Sequence, residues 1–416
     1  MNRFPFPNAK KWRVFFALYL FLLVYFTRDS QAGLYLLGFT KAQLLSFAVT
    51  GLTGIVFLFF NRKHLSAILC NGRIPLALLF SLTVLVPMIW KRDWQLMYIS
   101  MVYCILAAVL ISYFASLEQT ARAYVLLFSF LGAYSLLCTY ILRIPADRGI
   151  LVPPVFENSF QARFYNYLLC FVSVTYAKSR NFGIFREPGV YQFFLFLALY
   201  LNNYQASWKR EATMWLLNGI LALTMFSTFS TAGVAVTVVF LLVLLFEKKV
   251  FSAPLGRKLG ILAAAALLVL AGYLVIARPP LYTQLELMIE KLFTSNNSLN
   301  DRVDCILFNL YVIQWHPLKG RTLAYVLETV THNTSSSTIL FAVLGIFFGW
   351  LNLFGWVTLV FRGRGSVPAK LISLAALAVA FNSENLITNP IFWLFPILCL
   401  TEGLLPLFGR KPREGA

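Results

Sequence analysis

The sequence predicts an all-α, polytopic membrane protein, and two features of its composition and one of its pattern support this. Hydrophobic residues make up 59% of the 416 residues, whereas Asp, Glu, Lys and Arg together make up only 12%. In a soluble globular domain about a quarter of the residues are charged. The apolar residues are gathered into runs long enough for a helix to cross a bilayer. We therefore expect the chain 1–416 to form a single transmembrane domain.

Apolar segments recur along the chain when hydropathy is averaged over a window of about 19 residues. They lie at 12–27, 43–60, 74–90, 95–115, 122–142, 162–177, 189–202, 212–227, 231–247, 258–277, 336–361, 368–382 and 389–408. Basic residues at both ends of the sequence place both termini in the cytoplasm by the positive-inside rule. Termini on one side require an even number of crossings, so one segment is expected not to cross. The prediction is about 12 transmembrane helices.

The segment 162–177 is the weakest of these candidates. Arg163, Tyr165 and Asn166 put polar groups into its first turns, and a helix of this length rises only about 24 Å. We expect the segment to be re-entrant or interfacial and to form one element, 162–190, with the motif that follows it. If 162–177 crossed the membrane instead, the loop after it would face the cytoplasm.

Residues 278–334 form the one long stretch between predicted spans and are expected to be an extracytoplasmic helical loop. Apolar residues between Leu281 and Leu292 recur at helical spacing, which predicts a first amphipathic helix. Ser298 and Asp301 resemble a capping box, and a second apolar stripe follows them. We expect the two amphipathic helices to lie on the membrane surface or to cover a cavity.

The charge and the cysteine content exclude two other classes of function. Lys and Arg outnumber Asp and Glu by 35 to 16, a net charge of +19. In a membrane protein this surplus is expected in cytoplasmic loops, so we do not expect nucleic-acid binding. The six cysteines and three histidines lack the close spacing of a metal site, and no metal or other cofactor is expected.

Residues 185–189, Phe-Arg-Glu-Pro-Gly, place an ion pair between two apolar runs. A charge at the bilayer centre costs about 3 kcal/mol, so charged residues near apolar spans are candidates for function. Lys178, Arg180 and Arg186 all fall in one predicted extracytoplasmic loop, against the positive-inside trend. Either the predicted topology is wrong at this loop, or these cations bind an anion. The alternative for Arg186 is a local pair with Glu187 or a cation at the membrane interface.

Three further positions carry candidate site residues. Arg302 falls in the first turn of the second predicted loop helix, where free backbone N–H groups favour an anion and a guanidinium would clamp a phosphate. The alternative for Arg302 is an ion pair with a neighbouring aspartate on a solvated face.

His332 and Asn333 lie at the start of the next predicted span. A histidine there can exchange a proton near pH 7, or the polar residues can cap the helix. Glu384, in another predicted extracytoplasmic turn, is a candidate base.

Taken in order, these motifs resemble those of the O-antigen polymerase and ligase superfamily of polytopic membrane glycosyltransferases. They are Arg-Glu-Pro-Gly at 186–189, a Ser/Thr-Gly mouth at 227–233, and, in the outer loop, residues 298–302, 317–320 and 332–333. Arg-Glu-Pro-Gly is more similar to the Wzy-type repeat-unit polymerases than to the O-antigen ligases, which more often have Asn-Pro-Asn there. The resemblance covers about residues 120–405.

The resemblance implies a GT-C-like fold and a metal-independent, inverting glycosyltransferase of the bacterial inner membrane, with its active site facing the periplasm. The donor would be an undecaprenyl-diphosphate-linked oligosaccharide. The acceptor would be a sugar hydroxyl of another lipid-linked repeat unit, so that O-antigen or exopolysaccharide chains grow during lipopolysaccharide or exopolysaccharide biosynthesis. Such a polymerase lies in the lipid bilayer, and a chain-length regulator protein could bind to it.

The resemblance and the residues together suggest roles at the site. Arg186 and Arg302 would bind the diphosphate, with Glu187 holding Arg186 in position. His332 would activate the acceptor hydroxyl. The remaining candidates for substrate binding are Arg180, Asn333 and Glu384.

Two other functions stay open at this point. An O-antigen ligase would use the same donor and the same arginines but would transfer finished polymer to lipid A-core. A lipid or solute transporter would show inverted repeats and polar residues at mid-membrane depth, whereas the charges of this chain gather at the ends of the apolar segments.

Overall fold

The computed structural model describes residues 9–64, 68, 72–157, 162–175, 180–248, 297–330 and 333–408. This part of the chain is mostly α-helical, as predicted. Six of its helices are long and apolar enough to cross a membrane: Thr40–Phe60, Arg73–Lys91, Leu96–Phe114, Leu117–Asp147, Ser336–Arg362 and Pro390–Leu407. Three shorter apolar helices are Val14–Tyr25, Thr231–Glu247 and Val367–Phe381. An all-α membrane protein is therefore confirmed in outline, while the number of about 12 crossings and their orientation stay predictions.

In chain order the described elements are α1 (Ala9–Tyr25), α2 (Phe39–Phe60), α3 (Arg73–Lys91), α4 (Leu96–Phe114), α5 (Leu117–Asp147, π-helical over Leu137–Leu142), β1 (Val155–Glu157), β2 (Arg163–Asn166), β3 (Phe171–Ser173), α6 (Pro188–Tyr204), α7 (Glu211–Ser227), α8 (Thr231–Glu247), α9 (Asn297–Trp315), α10 (Leu323–Thr329), α11 (Ser336–Arg362), α12 (Val367–Phe381) and α13 (Pro390–Phe408). The chain divides into two compact units. The first unit consists of Met1–Ala123, Cys305–Leu359 and Asn385–Ala416, and the second of Tyr124–Asp304 and Val360–Glu384.

In the first unit, α4 and α13 pack along one another, and α3 packs on α4. The apolar helix α11 is broken at Gly345, whose φ of 81° and ψ of 165° are non-helical. The turn 317–321 fills this break, and the Ile346 N–H donates to the Pro317 carbonyl at 2.7 Å. A Cβ at position 345 would lie 2.1 Å from the Leu318 carbonyl oxygen, so only glycine fits there.

The carbonyl groups that the break leaves without helical partners are bonded by other elements of the first unit. The Arg321 N–H donates to the Ala342 carbonyl at 2.8 Å. Lys91 Nζ, at the end of α3, donates to the Val343 carbonyl, to the Arg321 carbonyl at 3.0 Å and to Tyr98 Oη at 3.1 Å. Buried carbonyl groups need such partners, because an unpaired one costs about 1–3 kcal/mol.

The second unit is built around α6, which is buried along its whole length and packs against α7, α8 and α12. A helix that is apolar on all sides lies either in a protein core or in a bilayer, and α6 is enclosed by protein. The unit also contains an antiparallel meander, β1-β2-β3, in which Phe156 pairs with Phe164 and Tyr165 with Val172. In the stretch 162–177, where the sequence analysis expects a re-entrant or interfacial apolar segment, the described residues form β2 and β3.

Of the predicted loop 278–334, the structure describes residues 297–330, 333 and 334. The helix α9 lies where the second loop helix is predicted, and it is followed by the short helix α10, which the apolar pattern does not indicate. The first predicted loop helix and the predicted span 258–277 lie outside the described residues.

Candidate functional site

The loop that leads into α6 is held in place by side-chain amide and hydroxyl groups of the second unit. Asn181 is fully buried, and its Nδ2 donates to Ser135 Oγ at 2.8 Å and to Ser227 Oγ at 3.0 Å. Its Oδ1 accepts a hydrogen bond from the Gly183 N–H at 2.9 Å. Further along, the Phe185 ring stacks on Phe194 of α6 with the ring centroids 4.3 Å apart. The residue after Phe185 is therefore presented in a fixed position.

That residue, Arg186, lies between two carboxylates. Its Nη1 donates to Glu187 Oε1 at 2.9 Å, and its Nη2 donates to Glu384 Oε2 at 3.3 Å. The side chain of Arg186 is 21% exposed and that of Glu187 is 53% exposed, whereas Glu384 is only 8% exposed. The guanidinium is therefore accessible at the surface of the protein, with Glu384 on its buried side and Glu187 on its exposed side. Of the predicted site residues, these three are brought together directly.

Glu384 also approaches the first turn of α6. Glu187 is the N-cap of this helix and has an extended backbone, and Pro188 occupies the first helical position, where its missing N–H costs nothing. A Cβ on Gly189 would lie 2.5 Å from Glu384 Oε1, so glycine is what allows the carboxylate to come this close. The N-terminal turn of a helix favours an anion, and here Glu384 takes that position.

A chain of hydrogen bonds runs behind the ion pairs. Gln192, which is 1% exposed, donates from Nε2 to Ser383 Oγ at 2.7 Å, and its Oε1 accepts from Ser230 Oγ at 2.7 Å. It therefore ties α6 both to the residue before Glu384 and to the turn between α7 and α8. The sequence analysis did not select Gln192, although a glutamine in the apolar run of α6 is a signal that could have found it.

The turn between α7 and α8 also bonds the second arginine of the loop. Arg180 is half-buried, and its Nε donates to the Thr228 carbonyl at 3.0 Å. The hydroxyl of Thr228 in turn accepts from the Ser230 N–H at 3.3 Å. The predicted Ser/Thr-Gly mouth at 227–233 is thus a helix-turn-helix that supports Arg180 and, through Gln192, the Glu384 side of the site. We call the set Arg180, Arg186, Glu187, Gln192 and Glu384 the polar mouth.

The other predicted site residues lie on other elements. Arg302 is half-buried on α9, and because α9 begins at Asn297, Arg302 is in the second turn rather than in the predicted first turn. Asn333 is buried in the first unit, where it exchanges amide hydrogen bonds of 3.1 and 2.8 Å with Asn309. The Asn333 amide is therefore engaged in hydrogen bonds within the first unit. His332 lies outside the described residues.

The polar mouth combines two arginines with two glutamates. Arg186 offers a planar guanidinium that matches a phosphate or carboxylate, and its present partners are side chains that can rotate. Glu384, little exposed and beside a helix N-terminus, can hold that guanidinium or accept a proton. Within the described ranges, no three His, Cys, Asp or Glu side chains are grouped so that they could hold a metal ion.

Fold and site together define a mostly helical membrane protein with a charged polar mouth at the start of a buried helix. No protein-family model, curated protein or solved structure matches the chain.

Proposed function

We propose that the protein is a metal-independent, inverting glycosyltransferase that polymerises polysaccharide repeat units carried on a lipid diphosphate. The proposal rests on the resemblance of the ordered motifs at 186–189, 227–233, 298–302, 317–320 and 332–333 to O-antigen polymerases. The observation that supports it best is the position of Arg186, partly exposed at the start of α6 and held by two exchangeable carboxylates.

The chemistry needs a cation where the leaving group develops charge. The acceptor hydroxyl oxygen forms a bond to the anomeric carbon of the donor sugar, and the bond from that carbon to the diphosphate oxygen breaks. The bonding electron pair leaves with the lipid diphosphate, and the hydroxyl proton passes to a base. Stabilising the developing charge is usually the largest catalytic term, with one donor contributing about 3 kcal/mol.

We assign Arg186 and Arg302 to the diphosphate, His332 to the acceptor hydroxyl and Glu187 to the positioning of Arg186. We also propose a role for Glu384, which its contacts in the second unit support. As it already occupies the anion position at the start of α6, the arriving diphosphate would replace it on Arg186. The released carboxylate would then be free to orient the acceptor.

The test is chain extension by the purified protein in lipid nanodiscs, supplied with a lipid-diphosphate-linked repeat unit. We expect a ladder of products from the natural chain and a loss of about 100-fold or more in rate from Arg186→Ala. Arg163→Ala is a matched control, because Arg163 also pairs with a glutamate of the second unit but is 62% exposed. This control is expected to retain full activity.

Each alternative has its own result. A full ladder from Arg186→Ala would contradict the site assignment. Transfer of a single block to a lipid A-core acceptor, without a ladder, would identify a ligase. No transfer from any lipid-diphosphate-linked glycan to either acceptor would contradict the glycosyltransferase proposal.

A further inference from the structure

A second concave feature lies in the first unit, between the C-terminal end of α9 and the start of α10. It is a cleft of about 230 Å³, and its lining residues are Tyr311, Val312, Trp315, His316, Arg321 and Tyr325. Apart from one valine, all of them are aromatic or basic. None of the motifs assigned to the polar mouth contributes to this cleft.

The aromatic side chains of the cleft are exposed at the surface of the protein. Trp315 is 63% exposed, Tyr311 is 55% exposed and Tyr325 is 37% exposed. The Tyr311 and Trp315 ring centroids are 6.2 Å apart, so these two rings form one wall. Large aromatic side chains bring much apolar contact area and an electron-rich face, and they are costly to leave in water without a ligand. The polarised C–H bonds on one face of a sugar ring are suited to such a wall.

The basic side of the cleft is made by Arg321. Its guanidinium carbon lies 4.8 Å from the Tyr325 ring centroid, a cation–π contact that holds the group in place. In the described part of the chain the ion pairs do not include Arg321. The pKa of His316 is lowered, first by partial burial and then by the charges of Arg321 and Lys319. The lowered pKa favours the neutral His316 ring, which can accept or donate a hydrogen bond, while Arg321 attracts an anion.

The walls of the cleft are rigid. The turn 317–321 is locked into the break of α11, and the Lys91 ammonium bonds the Arg321 carbonyl. The start of α10 is fixed as well, because Asp93 Oδ2 accepts a hydrogen bond from the Leu323 N–H at 2.6 Å. A binding site whose groups are already held in place loses little entropy when it binds a ligand.

We propose that this cleft binds one sugar residue that carries an anionic group, a carboxylate or a phosphate. The ring would lie on Tyr311 and Trp315, and the anion would meet Arg321. The volume is smaller than the roughly 300–1,000 Å³ of pockets for drug-sized ligands, which suits one ring rather than a longer chain. The proposal rests on the proposed function for the source of this sugar, which would be the glycan of the lipid-linked repeat unit.

The bilayer surface is the competing ligand for these aromatics. Leu307 and Leu310 of α9 are also exposed, and Trp and Tyr side chains commonly anchor interfacial helices. A bilayer, however, meets a convex apolar stripe, whereas Trp315 and Arg321 line a concave cleft. The geometry therefore favours a small polar ligand over a membrane surface.

The test is ligand-observed NMR of the full chain in zwitterionic nanodiscs, with glucuronate, glucose 1-phosphate, glucose and inorganic phosphate as separate probes. We expect both anionic sugars to bind at least tenfold more tightly than glucose or inorganic phosphate. Arg321→Gln and Trp315→Ala should each weaken that binding about tenfold, which is the loss of about 1.4 kcal/mol. Leu307→Ala, 57% exposed on the same helix but outside the cleft, should change nothing.

Three results would overturn the inference. The first is equal binding by the natural chain and by Arg321→Gln, and the second is binding of inorganic phosphate as tight as that of the anionic sugars. The third is quenching of Trp315 fluorescence by brominated lipids, where the Trp315 signal is the difference between the natural chain and Trp315→Phe. The part of the binding that Arg321→Gln removes is expected to be the same in an Arg186→Ala background, because Arg186 does not line the cleft. The failure of the polymerase proposal and the failure of this one can thus be told apart.

Discussion

Two clusters of charged residues, one in each unit, lie at helix ends but have different kinds of partner. In the first unit, Lys91 donates to two backbone carbonyls, and Asp93 accepts from a backbone N–H. In the second unit, Arg186 is bound by the side-chain carboxylates of Glu187 and Glu384. Backbone partners cannot move away without local unfolding, whereas carboxylate side chains can rotate and give way to a ligand of the same charge.

The difference separates structural charge from charge that is available for chemistry. Lys91 supplies a hydrogen bond that the broken helix α11 lacks, so its removal leaves the part-buried Val343 carbonyl without this donor. Arg186 is partly exposed, and its ion pairs are with the carboxylates of two side chains. We therefore expect changes in the first cluster to lower stability and changes in the second to lower activity.

The largest effect on stability is expected from Gly345→Ala. At φ 81° and ψ 165° the backbone is in a region that only glycine occupies without strain, and the new Cβ would overlap the Leu318 carbonyl. We expect a loss of at least about 3 kcal/mol, seen as little folded protein in fluorescence-detected size-exclusion chromatography of the detergent-solubilised chain.

Gly219→Ala is the matched control for this change. Gly219 lies inside α7, and a Cβ there would meet no atom within 4 Å. Its replacement is expected to leave the protein as stable or to stabilise it by up to about 1 kcal/mol. If Gly345→Ala behaved in the same way, the break in α11 would not be a fixed part of the fold.

A smaller but still clear loss is expected from Lys91→Met. Methionine keeps the length of the side chain and removes the ammonium, so the carbonyls of Arg321 and Val343 lose a donor. One unpaired buried carbonyl costs about 1–3 kcal/mol, which should appear as a lower thermal midpoint in detergent. Lys370→Met is the control, because Lys370 also bonds a carbonyl, that of Phe361, but in an exposed position. Equal midpoints for the two variants would contradict a structural role for Lys91.

The sequence predicted the helices better than it predicted the contacts between them. Hydropathy finds a buried or membrane-crossing helix because nearly every position of such a helix is apolar, as in α6. The same measure could not find β2 and β3. In these short strands the alternation of apolar and polar residues is too brief to be distinguished from the apolar run that contains it. The break at Gly345 was also invisible, because one glycine in an apolar run carries no periodic signal.

Prediction of the site shows the same limit. Arg186 and Glu187 are adjacent in the chain, so their pairing could be proposed from the sequence. Glu384 is 198 positions away from Arg186, and only the packing of α12 on α6 brings the two together. The cleft beside Trp315 depends on how the turn 317–321 packs. From the sequence, residues 317–320 could be recognised as a motif and as the end of a helix, but not as part of a cleft.

The smallest change in stability, together with a large change in activity, is expected from Glu384→Gln. The amide has the size of the carboxylate and can still accept from Arg186 Nη2, and Glu187 still balances the guanidinium charge. We therefore expect the thermal midpoint to correspond to a loss of about 1 kcal/mol or less. Chain extension should fall at least tenfold, because the neutral amide cannot act on the acceptor hydroxyl as the released carboxylate would. Glu157→Gln, which removes the exposed partner of Arg163, should change neither quantity. Glu384→Gln could instead lower stability as much as Lys91→Met and leave the rate per folded molecule unchanged. Both clusters would then be structural, and the assignment of Arg186 to diphosphate binding would be wrong.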